Sequence, residues 1–168
     1  MRSKSFKPDL MFTFSRLSPY ERWDKFREEA KRLWDIYRSV FKPTMLRRLA
    51  VRYINRIDIP LKDRSVDLKH FLRTFPEVSP AMTQDITNCF MQLELPQDDL
   101  GAVLQLTEAV IPPVKPDTLS VVLDIDLYRE QDTPCDEKEI WEFFERLRTR
   151  KNEIFEACIT DRTRKLIL

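Results

Sequence analysis

Glycine is nearly absent from this chain: 168 residues contain one, Gly101. Phosphate cradles of the Walker and dinucleotide types need several positions free of a side chain, so ATP and NAD sites of those kinds are excluded, and no cofactor is expected. Histidine is equally scarce, with His70 alone. A His-based metal site or a serine-type triad would have to run through that one ring, which sits in a short apolar segment and reads as structural. The three cysteines, Cys89, Cys135 and Cys158, are odd in number, far apart and without a CxxC pair. They make no disulfide framework, and a reducing, cytoplasmic setting fits them best. Long apolar runs are missing too. No stretch reaches the ~18 uncharged residues of a membrane span, and the basic opening MRSKSFKPDL is not followed by a signal-type apolar run, so no membrane partner is expected and residues 1–9 read as a flexible basic leader. A formal net charge of +1 gives no global pull towards nucleic acid.

What is present suffices for one compact domain over 10–168, since 42% of the residues are hydrophobic and 11% aromatic. Its most informative stretch is Leu49–Pro60, LAVRYINRIDIP, read as a strand with two unlike faces. Leu49, Val51, Tyr53, Asn55, Ile57 and Ile59 form the core side; Ala50, Arg52, Ile54, Arg56 and Asp58 form the other. Asn55 interrupts the apolar side, and a buried amide without a partner costs about 1–3 kcal/mol, so a specific polar neighbour is expected. Thr118–Tyr128 mirrors this strand in charge. Leu119, Val121, Leu123, Ile125 and Leu127 line one face, and Ser120, Val122, Asp124, Asp126 and Tyr128 the other.

The remaining elements follow from periodicity and punctuation. Leu10–Leu17 alternates aromatic residues and predicts a first strand. Ser18, Pro19 and Glu21 make a helix start with a capping box, and Trp23, Phe26, Ala30, Leu33, Trp34, Tyr37 and Phe41 recur at helical spacing until Lys42-Pro43. Asp67 caps a short segment, LKHFLRTF; strands over Ile86–Leu95 and Ala102–Ile111 flank the turn PQDDLG. Asp136, with Glu139 placed for a second capping box, opens a closing helix that runs through Ile159. Lys151 falls on its apolar side, which predicts either a kink near Asn152 or a carboxylate within reach at the sheet edge. The resulting fold class is α+β: a curved, mainly antiparallel sheet of about five strands packed by two long helices, in the order β-α-β-(short α)-β-β-β-α.

Two constellations carry candidate chemistry. Asp124 and Asp126 on one strand, with Arg52 and Arg56 on another, have the residue types of a metal-dependent phosphodiesterase site, the carboxylates holding a divalent ion and Arg52 and Lys151 contacting phosphate. The same residues equally make a cross-strand ladder of ion pairs that needs no ligand, and this is the preferred interpretation. Tyr53, Asn55 and Asn152 line a conceivable small-ligand pocket between the sheet and the last helix, and the interruptions at Asn55 and at Lys151-Asn152 are expected to meet.

Three segments together carry a resemblance. RLAVRYINRIDIP at Arg48–Pro60, VLDIDLY at Val122–Tyr128 and LRTRKNEIFEACITDRTR at Leu147–Arg164 resemble the signature of a sporadically distributed, uncharacterised prokaryotic protein family. The resemblance runs from about Leu10 to the end and implies a shared fold without an assigned reaction. Members usually have a further amino-terminal portion and a carboxyl-terminal aromatic, where this chain has Leu166-Ile167-Leu168. That implies a shortened copy whose sheet exposes an edge, suited to pairing with another chain or with itself. The leading functional expectation is therefore a non-catalytic interaction or accessory module acting through a sheet edge or the charged face, with Arg52, Tyr53, Asn55, Arg56, Lys151 and Asn152 as binding residues.

Overall fold

The computed structural model describes residues 11–17, 22–61, 66–79, 81–82 and 86–167. Two compact units divide the chain, one ending at Met45 and the other beginning at Leu46. The first holds α1, Trp23–Phe41, which ends at Lys42 in the left-handed region (φ 46°) just before Pro43. The expected capping residues Ser18, Pro19 and Glu21 lie outside the described residues, as do residues 1–9. The predicted strand over Leu10–Leu17 is not borne out: residues 11–17 have no ladder partner and no regular structure. Their alternating rings pack on the helix instead, Phe12 against Trp34 and Tyr37 and Phe14 against Phe26 at centroid distances of 4.8–5.5 Å. Ring contacts of this kind satisfy an aromatic stripe without backbone pairing.

The second unit is a four-stranded antiparallel sheet in the order β1-β4-β3-β2, so the expected five strands become four. Its strands are β1 (Leu49–Pro60), β2 (Phe90–Gln97), β3 (Ala102–Ile111) and β4 (Thr118–Arg129). β2 begins four residues after the expected Ile86, and PQDDLG becomes a 3-10 turn, Asp98–Leu100, closed by Gly101 at φ 56°. The inner face is apolar: Ile57, Ile59, Val121, Leu123, Ile125 and Leu127 are all but fully buried. Each such side chain contributes on the order of 1.5–3 kcal/mol of transfer free energy.

The closing helix α2, Glu137–Cys158, starts where Asp136 accepts hydrogen bonds from the amides of Lys138 and Glu139. It crosses β1 and β4 and buries Ile140, Phe143, Leu147 and Cys158. It runs unbroken past Asn152, and no carboxylate among the described residues pairs with Lys151, so neither a helix break nor a sheet-edge acid accounts for that lysine. A short further helix, α3 (Asp161–Ile167), was not anticipated. It clasps the segment after Asp67, where the expected short helix is one 3-10 turn, Leu68–His70. Leu72 bridges to Ile159, and the buried Thr163 hydroxyl donates to the Phe71 carbonyl. No helix among the described residues is long and apolar enough to cross a membrane.

Candidate functional site

On the outer face the register decides which charges meet. Arg52 lies opposite Asp126, and Ile54 opposite Asp124. Arg52 nevertheless reaches diagonally to Asp124, with Nε 3.0 and 3.1 Å from the two carboxylate oxygens and Nη2 2.5 Å from Oδ2. Asp126 is held by Arg48, whose Nη2 donates to Oδ2 at 2.9 Å while Nη1 donates to Glu130, and whose guanidinium stacks 3.7 Å from the Tyr128 ring centroid. Arg56, opposite Val122, turns away from both acids and donates to Asp58, Ser120 and the Pro112 carbonyl. Of the five residues proposed as a phosphodiesterase-like group, one cross-strand pair, Arg52–Asp124, therefore forms, Arg48 takes the place expected of Arg56, and Lys151 lies on the opposite face, over Tyr53. Burial raises the Asp126 carboxyl above the usual range against the pull of Arg48 and Arg52. Both oxygens of Asp124 accept from Arg52, which makes the pair a ladder rung. Among the described residues no group of three His, Cys, Asp or Glu is placed to hold a metal ion. His70 is exposed, 3.6 Å from Asp67.

The inner face contains three polar interruptions that do not form one site. Asn55 donates to the main-chain carbonyl of Leu123 on β4, at 3.2 Å, so its polar neighbour is backbone. Lys151 lies 3.7 Å above the centroid of the Tyr53 ring, and burial, with Arg148 adding to it, lowers its amine to about 8. The ring face offsets part of the lost hydration. Asn152 is exposed, and no described contact joins Asn55 to Lys151 or Asn152, so the expected meeting of the two interruptions is not borne out; Lys151 lies over Tyr53 instead. Glu108, outside the set of residues expected from sequence, is 1% exposed, and its Oε1 has no described hydrogen-bond partner. Burial pushes this carboxyl up to about 7, and it in turn raises the buried Cys158 thiol, which burial has already raised. The signal was available at period two: Ala102, Leu104, Leu106, Glu108 and Val110 share one side of β3.

A cleft of about 320 Å³ lies elsewhere, between the Asp98–Leu100 turn and α2, lined by Asp99, Leu100, Glu145, Arg146, Thr149, Arg150 and Glu153. It shares no residue with the pocket proposed around Tyr53, Asn55 and Asn152. Its charges satisfy one another, Arg150 bonding to Gln97, Asp99 and Glu153 and Arg146 to the Asp99 carbonyl.

The sheet's edges present a different kind of group. The Val110 amide donates to the Cys89 carbonyl at 3.0 Å, a register-opposed pair continuing the β2–β3 ladder. In an antiparallel ladder alternate residues turn both main-chain groups to the same side. Met91, Leu93, Leu95 and Gln97 therefore face β3, whereas Phe90, Gln92, Glu94 and Pro96 face away from it. The same reasoning from the Leu61 amide, which donates to Asp117, turns Pro60 to the free side of β1. Both prolines thus sit where their missing N–H removes nothing from the sheet.

No family model, curated protein or solved structure matches the chain.

The two edges differ in their protection. Beside β1's free edge stand Arg52, Arg56 and Asp58, and α3 packs on the same strand. β2 carries one charge, Glu94, and leaves Phe90 71% and Leu95 40% exposed. Met91 and Leu93 are only half buried, while Leu104 and Leu106, beside them on β3, are 3% and 2% exposed. The apolar inner layer therefore continues onto β2 with less cover than it has over β1, β4 and β3.

Proposed function

We propose that this chain is a non-catalytic interaction module that takes a partner strand on the free edge of β2. The observation that supports the reading most is the row of outward main-chain groups of Phe90, Gln92 and Glu94, which have no strand partner among the described residues, flanked by exposed Phe90 and Leu95. A row of this kind is a template for strand addition, in which backbone hydrogen bonds supply affinity and alternate side chains supply selectivity. The pairing of Asp124 with Arg52 and of Asp126 with Arg48 supports the same reading, because the acids that a metal-assisted reaction would use are engaged by guanidinium groups.

Gln92→Pro tests it. The substitution deletes an outward N–H and leaves the β2–β3 bonds intact, at a position of the same parity as Pro96. Used as bait in an extract of the source cells, the wild-type chain is expected to retain a partner that the equally stable variant retains at least about tenfold less well. Equal retention by both would contradict the reading.

A further inference from the structure

The groups along β2 identify what fits its edge. We propose that the strand added there is β2 of a second copy, running antiparallel with Leu93 opposite Leu93, an inference that rests on the edge reading above. Main-chain parity limits the choices, since outward-facing residues must oppose outward-facing residues. Three registers then centre on the middle of the strand. Centring on Glu94 sets the two carboxylates against each other and is disfavoured by like charge. Centring on Gln92 sets each Phe90 against Glu94, burying a charge beside a ring. Centring on Leu93 sets Gln92 against Glu94 of the second copy, amide donor to carboxylate, and Phe90 against its Pro96 on the outer face. On the inner face it sets Leu93 against Leu93 and Met91 against Leu95, which extends the half-covered apolar layer across the junction.

The main chain agrees with that register. Gln92 and Glu94 of the two copies exchange both their N–H···O bonds, and Phe90 donates to the carbonyl of Pro96. The proline's missing N–H falls at the last pair of the new ladder, so pairing stops there instead of running on. A two-fold axis through Leu93 uses the same patch on both copies and consumes the edge, which gives a closed dimer with a continuous sheet and no fibre.

Sedimentation equilibrium on the full chain in reductant tests the occupant. The mass is expected to rise with concentration from 20.2 kDa towards twice that value, and Gln92→Pro is expected to stay at 20.2 kDa and to melt where the dilute, monomeric wild type does. A second arm tests the register in a Cys135→Ser background. Leu93→Cys is expected to give a disulfide-linked dimer on mild oxidation, because an opposed non-hydrogen-bonded pair has Cα atoms about 4.5 Å apart, within disulfide reach. Phe90→Cys is expected to give none. A wild-type chain that remains at 20.2 kDa at every concentration overturns the second copy as occupant, and the edge reading then stands or falls separately on whether partner retention depends on Gln92. A dimer indifferent to Gln92→Pro, or one linked through Phe90→Cys and not Leu93→Cys, also overturns the proposal.

Discussion

Glu108 has the surroundings of a core leucine, and its ionisation opposes folding. Its carboxyl titrates near 4.5 when solvated and near 7 in the folded chain, because burial penalises the charged form. Below about pH 4.5 it is protonated folded or unfolded and costs nothing as an ion. As the pH rises through 7 the folded state comes to carry a buried charge, so this residue's contribution to stability is lost over that interval, by roughly 3 kcal/mol. Glu108→Gln keeps the shape and removes the charge. Urea unfolding at pH 4 and pH 8 should show the stability difference between variant and wild type moving by about 3 kcal/mol in the variant's favour at the higher pH. A difference that does not change with pH would refute the assignment. Residues like this are legible when a strand is read at period two, because the charge stands alone in an apolar row. Partners are less legible: Asn55 found a backbone carbonyl and Lys151 a ring face, and neither leaves a mark in the sequence at the partner's position.

At the scale of elements, the turn between β2 and β3 depends on one backbone conformation. Gly101 takes φ 56°, and an added Cβ would stand 3.5 Å from the Arg129 guanidinium, an ordinary contact, so space is not the constraint. The left-handed backbone is. Gly101→Ala is expected to lower stability by ~1–2 kcal/mol in urea unfolding. No measurable loss would show that the turn tolerates a side chain and that this glycine does not set the β2–β3 hairpin. Strands with unlike faces were readable to within a residue: β1 falls on Leu49–Pro60, β3 on Ala102–Ile111, and β4 extends one residue past Tyr128. Leu10–Leu17 misled because alternating aromatics serve equally well against a helix as in a ladder. Apolar content predicts a strand from Ile86, four residues ahead of the start of β2, because it does not mark where pairing begins. α3 escaped notice because one turn of amphipathic spacing is indistinguishable from a tail.

At the scale of the molecule, the charged strands of the sheet meet each other, and a row of main-chain groups along β2 has no strand partner among the described residues. The basic region around β1 and the acidic region around β4 neutralise each other across the outer face through Arg48, Arg52, Asp124 and Asp126. On the proposed reading the free edge of β2 is the acting surface, where Pro96 limits the length of any added ladder and the side chains are mostly uncharged. An exposed edge was among the expectations from sequence, but which strand would form it was not, since strand order depends on long-range pairing that local patterns do not encode. Amide hydrogen exchange across β2 in dilute, monomeric protein tests the central claim most directly. Slow exchange is expected at Met91, Leu93 and Leu95, whose N–H groups face β3, and fast exchange at Phe90, Gln92 and Glu94, with these last three slowing when the edge is occupied. Equal protection of both sets in the dilute monomer would mean that the edge is already covered, and would contradict it.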